Sequence, residues 1–333
     1  MSRIAILGGG SWGTALAILF SRSREGHQIS LRVHDAKLAR RMQEKRENAT
    51  YLTGLMLGPA VSVHSEIAAA IAGAEIVVGA MPSAHAREVY GTAAPFLPTN
   101  ANIVSATKGL EPATHARMSE VIAQTTGQSG SRIAVLSGPS FALEAARGEP
   151  TAVVLACEDD GVATMLQEKL AGPTLRLYTN TDVLGVELAA SMKNVIAIAA
   201  GACQGLGLGA NTLAALITRG LAEMARLAMT LGAKPETLSG LAGLGDLVLT
   251  CTGALSRNRY VGLELGKGRS PKDILTGMKM VAEGVGTAPA LLELARKNQI
   301  ELPITEQVNA ILQQGKAPAA AIREIMDRPQ KRE

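Results

Sequence analysis

The stretch Arg3-Ile4-Ala5-Ile6-Leu7-Gly8-Gly9-Gly10-Ser11-Trp12-Gly13 decides the architecture of the first half of this chain. Five mostly apolar residues read as a buried strand, and the GxGxxG turn directly after them leads into an Ala-rich helical segment. Gly8 allows the tight turn, Gly10 lets a pyrophosphate approach the backbone, and Gly13 permits close packing of helix on sheet. Exposed amides at the N-terminus of the following helix then form an anion site without a basic side chain. A GxGxxG alone is a weak signal. Its position after a strand, inside an α/β region, points to a dinucleotide site in preference to a structural turn.

Outward from this stretch the same rhythm repeats. Strands are expected over 3–7, 29–33, 76–80, 102–106 and 132–136, with shorter ones over 60–63, 152–155 and 174–178, separated by Ala-rich helical segments. Several are apolar throughout, which favours a parallel sheet covered on both faces. After about Asp182 the pattern changes to long helices over 183–203, 210–231, 270–280, 288–298, 304–313 and 317–326. The expected fold class is therefore α/β plus all-α. A Rossmann-like, mostly parallel sheet occupies residues 1–182, and a helical substrate-binding and catalytic domain occupies 183–333, with fraying beyond Asp327. A chain of 333 residues exceeds one typical core, in keeping with two domains.

Composition narrows the function. Apolar residues make up 47% and aromatic residues only 2%, so the cores are filled by Ala, Leu, Ile, Val and Met, and stacking surfaces for single-stranded nucleic acid are not expected. The formal charge of +4 arises from 33 basic and 29 acidic residues spread along the chain, with a basic group only at Arg328, Lys331 and Arg332, so a nucleic-acid surface is not indicated. The start reads as a strand without a secretory signal, and 195–203 is too short for a membrane span, so no membrane insertion is expected. Cys157, Cys203 and Cys251 form no CxxC pair and fit a reducing cytoplasm. The five histidines show no ligand spacing, and no metal is expected.

Several polar residues stand in unusual company. Lys193 and Glu187 are the only charges between Val183 and Gln204. A lysine held against apolar walls loses hydration, which lowers its pKa and brings proton transfer within reach; the alternative is an ammonium that snorkels to the surface. Asp246 lies among apolar residues and glycines, where it needs a partner such as Lys193, or caps the next helix. Lys108 follows an apolar strand at the sheet edge where ligands lie; the alternative is a solvated lysine at a helix start. Gly138-Pro139-Ser140 is a small-residue turn that lets backbone approach a ligand. Ser256-Arg257-Asn258-Arg259 offers a guanidinium fork that matches phosphate, with an amide beside it. At the end of the second strand Arg32, His34 and Asp35 carry both signs, so this neighbourhood does not choose between the ribose of NAD and the 2′-phosphate of NADP.

The blocks GGGSWGTALA (8–17), SATKGLE (105–111), SGPSFALE (137–144), ELAASMKNVIAIAAG (187–201), GLAGLGDLVLTCTGALSRNR (240–259) and MVAEGVGTA (280–288) follow one another in order. With them the chain closely resembles the bacterial-type NAD(P)-dependent glycerol-3-phosphate dehydrogenases over nearly its full length. The resemblance implies interconversion of dihydroxyacetone phosphate and sn-glycerol 3-phosphate with NADPH or NADH (NADP+ or NAD+ in reverse), NADPH being the physiological reductant. It also implies a homodimer and a role in glycerophospholipid synthesis. By resemblance, Lys193 is the proton donor or acceptor and Lys108 and Asp246 complete the catalytic core. Gly138, Ser140, Thr250, Ser256, Arg257 and Asn258 join these three around the substrate. Ser11, Trp12, Arg32, Lys108, Ala142, Arg257, Val281 and Glu283 are implied near the cofactor, beside the motif residues Gly8, Gly10 and Gly13 and the neighbouring His34. Two rivals are a two-domain hydroxyacid dehydrogenase that prefers a carboxylate substrate, and a nucleotide-sensing scaffold without turnover.

Overall fold

The apolar strand that opens the chain becomes β1 (Arg3–Leu7) in a computed structural model that describes residues 1–278 and 280–330. Lys279, within the helix expected over 270–280, and residues 331–333 of the tail lie outside the described residues. The chain divides into two compact units: Met1–Glu111 with Ala116–Glu187, and Pro112–His115 with Leu188–Glu333.

In the first unit the main sheet runs β10 (Leu175–Asn180), β9 (Thr151–Cys157), β8 (Ile133–Ser137), β7 (Asn102–Ser105), β6 (Ile76–Gly79), β1, β2 (Gln28–Arg32) and β5 (Val61–His64) from edge to edge. Neighbouring strands are parallel except β8 and β9. The chain returns through the short α6 (Ala142–Arg147), so β9 and β10 run opposite to the rest of the sheet. Side chains alternate across the sheet, so Ile4 and Ile6 join one core and Ala5 and Leu7 the other. The first core is closed by α1 (Ser11–Ser21), α2 (Ala36–Lys45), α6 and α7 (Asp160–Leu170). The second is closed by α3 (Ile67–Ile71), α4 (Ala86–Ala93) and α5 (Met118–Thr126). A small hairpin-like pair, β3 (Glu47–Asn48) with β4 (Leu52–Met56), was not expected from the sequence. The order of connections reverses between β6 and β2 on either side of β1, the switch point at whose carboxyl edge ligands of open α/β sheets bind.

The second unit is helical. It follows α8 (Val183–Gly205), within which the unit boundary falls, with α9 (Ala210–Thr230), α10 (Pro235–Ser239), α11 (Asp246–Thr252), α12 (Arg257–Gly266), α13 (Pro271–Thr276), α14 (Glu283–Lys297), α15 (Pro303–Gln314) and α16 (Pro318–Met326). A π-helical turn over Leu241–Gly245 feeds directly into α11. The sequence reading corrects in three places. Helices α10 to α12 occupy a glycine-rich region that showed no helical period, α13 ends at Thr276, and α14 starts at Glu283 with Pro289 inside it. Helix α8 is longer than the apolar stretch judged too short to span a membrane. It passes that test by length and composition, yet 89% of its apolar window is buried inside the protein, as in a core helix.

Glycines explain the irregular reading. On α8, a Cβ at Gly201 would lie 1.9 Å from the Arg259 carbonyl oxygen, and one at Gly205 would lie 2.3 Å from that of Leu263. On α12, a Cβ at Gly262 would lie 1.9 Å from the Ile198 oxygen and one at Gly266 would lie 2.4 Å from that of Ala202. Four glycines thus form a reciprocal seam in which the two helix backbones touch. The residues that weaken each helix in isolation are those that let the pair form.

Candidate active site

In the first unit the glycine turn has the shape a pyrophosphate needs. Gly8 has φ +129°, and a Cβ there would lie 2.5 Å from the Ala80 oxygen; a Cβ on Gly13 would lie 1.8 Å from the Gly8 oxygen. Gly10 faces open space, with no heavy atom within 4 Å of a Cβ built on it. It also caps α1 without a side-chain acceptor, so the first-turn amides remain directed outward as donors. The residues present therefore fit a dinucleotide phosphate. Ser11 donates to the Tyr51 carbonyl (2.8 Å), and Trp12 packs on the core with its indole nitrogen buried.

Asn48, which the sequence reading missed, buttresses this turn. Fully buried at the start of the small β pair, its amide nitrogen donates to the Gly9 carbonyl (3.0 Å) and to Thr14 Oγ1 (2.8 Å). Its Oδ1 accepts from the Tyr51 amide three residues on (3.2 Å), a local bond, but the two partners that reach the turn lie 39 and 34 residues away and leave no mark in the sequence.

At the carboxyl end of β2, Arg32 donates to the Ser65 carbonyl (3.3 Å) and its Nη2 lies 3.1 Å from His34 Nδ1. Partial burial lowers the Arg32 pKa, opposed by the charges of Glu66 and Glu88. Asp35 has a different assignment. Its carboxylate accepts from the amides of Lys37 and Leu38 and caps α2, and these backbone bonds, that from Leu38 foremost, hold it below the usual carboxylate range. Beyond the ends of β7 and β8, Lys108 Nζ donates to the Gly138 carbonyl (2.9 Å) and approaches Ser140 Oγ (3.4 Å), which itself donates to Gly138. Gly138 has φ +141°, and Ala142 begins α6 close by.

The second unit holds the charged pair. Lys193 on α8 is 5% exposed and Asp246, the first residue of α11, is 1% exposed. Lys193 Nζ donates to Asp246 Oδ1 (2.6 Å) and to Thr250 Oγ1 (2.8 Å). Thr250 directs its own proton to the Asp246 main-chain carbonyl (2.6 Å), so its hydroxyl presents a lone pair to the ammonium. Two buried charges stay ionised only when paired and hydrogen-bonded in this way. Cys251 sits beside them, and burial pushes its thiol up to about 12, which leaves it a packing group.

Arg257 opens α12 and Ser256 is its N-cap, accepting from the Arg259 amide (3.2 Å). The side chain of Arg257 keeps an open face, yet crowding around the guanidinium lowers its pKa, with Glu283 opposing. A guanidinium so placed remains charged. Asn258 is locked in orientation: Oδ1 accepts from the Gly284 amide (3.0 Å), and Nδ2 donates to Asn194 Oδ1 (2.9 Å). Asn194, also missed in the sequence, adjoins Lys193, and Gly284 adjoins Glu283 at the start of α14. Three helices are thereby tied at one buried amide. Val281, just before α14, is 50% exposed.

Models of two protein families match the chain: NAD-dependent glycerol-3-phosphate dehydrogenase N-terminus over residues 3–163 and C-terminus over 182–323. A glycerol-3-phosphate dehydrogenase [NAD(P)+] of Koribacter versatilis is 51% identical over 331 residues, covering 99% of this chain and 98% of that protein. One from Acidobacterium capsulatum is 51% identical over 335 residues, with 99% of both covered. The crystal structure of glycerol-3-phosphate dehydrogenase from Coxiella burnetii superposes with a TM-score of 0.93 at 41% identity, covering 98% of this chain and 99% of that one. Glycine cradle, buried lysine pair and full-length similarity agree: the chain belongs to the NAD-dependent glycerol-3-phosphate dehydrogenase family.

Proposed function

We propose that this enzyme interconverts dihydroxyacetone phosphate and sn-glycerol 3-phosphate, with Lys193 as proton donor and acceptor. The observation that carries the role of Lys193 is its buried pairing with Asp246 and Thr250. When bound, the nicotinamide supplies or takes up a hydride at the ketone carbon. Lys193 Nζ delivers a proton to the ketone oxygen in reduction and recovers it in oxidation. Asp246 and Thr250 fix the direction of the ammonium, and Asp246 offsets the loss of hydration around it. Arg257 grips the phosphate with its donor fork, and the second Nδ2 hydrogen of Asn258, without a partner among the described residues, adds a directional bond. Lys108, held by Gly138 and Ser140, and the capping Ser256 complete the substrate contacts. Binding at the phosphate supplies remote energy that orients the reacting carbon.

The cofactor reading favours NADPH. With Asp35 engaged as the cap of α2, the groups offered to the adenosine ribose are Arg32 and His34, which suit a 2′-phosphate. Residues 1–182 would then hold the dinucleotide, with Ser11, Trp12, Ala142, Arg257, Val281 and Glu283 near it, and 183–333 the substrate. A homodimer in the cytoplasm, supplying glycerophospholipid synthesis, completes the reading; three unpaired, buried cysteines suit a reducing compartment.

Purified protein supplied with dihydroxyacetone phosphate and either NADPH or NADH, with ketoacids in parallel, tests these assignments. Oxidation of NADPH with the triose phosphate is expected. Absence of triose-phosphate turnover would sink the function, and a kcat/KM for NADH at or above that for NADPH would overturn the cofactor preference.

A further inference from the structure

Three buried hydroxyls of the first unit have no part in the site described above. Tyr90 on α4 and Ser105 closing β7 are 0% exposed and Ser137 closing β8 is 1% exposed. Among the described residues none of the three oxygens has a hydrogen-bond partner. Six buried side-chain atoms are orphaned in this way, and half of them fall here, which argues for one local cause.

The three share one face of the sheet. Gly79, at the end of β6, pairs with Ser105, and Ser105 pairs with Val135. Ser137 lies two residues beyond Val135, so strand alternation returns it to the same side. Tyr90 arrives from the helix layer: a Cβ on Gly79 would lie 1.9 Å from its phenol oxygen. That oxygen is thus seated over the end of β6, one strand away from Ser105. Its surroundings include the apolar core of Leu7, Val77 and Ile103. Burial, together with the charge of Glu187, pushes the phenol pKa upward, so Tyr90 keeps its proton and remains a donor.

Folded proteins satisfy buried hydroxyls with a protein group or an ordered water. Strand spacing disfavours direct bonds among these three. Adjacent strands lie about 4.8 Å apart, and same-face diagonal neighbours lie about 7–8 Å apart. A water making two bonds of about 2.8 Å spans the first of these gaps, and a second water extends the chain across the diagonal. We propose that the carboxyl ends of β6, β7 and β8 enclose a buried water site of one or two molecules, bridging Tyr90 Oη to Ser105 Oγ and Ser105 to Ser137. Ser105 lies three residues before Lys108, and Ser137 directly precedes Gly138, whose carbonyl accepts from Lys108. The water therefore ties together the two strand ends that make this contact, whichever substrate the chain turns over.

Thermal denaturation of the full chain and of its Tyr90→Phe, Ser105→Ala and Ser137→Ala variants tests the proposal. Each single change is expected to lower Tm by about 2–4 °C. The Ser105→Ala/Ser137→Ala double variant is expected to lose less than the sum, because the first removal already loosens the water. Hydroxyls that were truly orphaned would give the opposite result, an unchanged or raised Tm with additive effects, and that result overturns the proposal. A high-resolution crystal structure of the unmodified chain gives a readout independent of any variant. Density within hydrogen-bond distance of two of the three oxygens supports the site, and its absence where other buried waters are resolved overturns it.

Discussion

Lys193 shows what a single residue can and cannot disclose. Its apolar neighbours along the chain distinguish it in the sequence, but its partners lie 53 and 57 residues away, and only the fold places them within 2.6 and 2.8 Å. Replacing Lys193 with Met is expected to lower kcat/KM roughly 10²–10⁴-fold, the range of a lost general acid or base. Cofactor affinity, measured by nucleotide fluorescence, should change little. The same variant leaves Asp246 buried without its counter-charge, at about 3–5 kcal/mol of stability, so activity is to be compared well below its Tm. Turnover at the unmodified rate would remove Lys193 from the proton-transfer role. Asn48 and Asn194 had no such marker. An asparagine looks the same whether it is solvated or clasps a loop from a distance, and the bonds that give these two their place, to Gly9 and to Asn258, are long-range.

At the scale of elements, strands and long helices were legible where burial imposes a period, and illegible between 235 and 266, where Gly243, Gly262 and Gly266 serve close backbone contact while Gly240 and Gly253 end short helices. Helix α14 starts at Glu283, ahead of the expected 288, and carries inside it Pro289, a residue that favours the first turn of a helix. Helix α15 illustrates a carboxylate used as a distant cap. Glu223 on α9 is 2% exposed and accepts from the amides of Ile304 (2.8 Å) and Thr305 (3.0 Å) and from Thr305 Oγ1 (2.7 Å). Desolvation nevertheless raises its pKa above the ordinary 4.5, with the Thr305 bonds opposing. A carboxyl with a raised folded pKa contributes stability that is fully present below 4.5 and is lost as pH rises through the folded value. The Tm of the unmodified chain relative to Glu223→Gln should therefore fall as pH rises from acid to neutral. A difference that moved the other way would mean that the helix N-terminus outweighs burial.

At the scale of the molecule, the change from a strand-and-helix rhythm to helices alone is the feature most legible in the sequence, and the fold is the expected α/β plus all-α. The antiparallel β9 was not legible, since uniformly apolar strands do not disclose their direction. Cys157, Cys203 and Cys251 are all buried, and burial raises the pKa of each thiol. A thiol reagent should label the native chain only as fast as it opens, reaching three equivalents on denaturation. Labelling of the folded chain at the rate of a free thiol would contradict this burial. The seam between α8 and α12 has a genetic consequence. Main-chain carbonyls, not side chains, oppose all four of its glycines, so no side-chain substitution elsewhere can make room for an added methyl group. A lesion at Gly201 should accordingly yield no second-site suppressors in α12, and a revertant screen should return the original codon for glycine or a synonym of it.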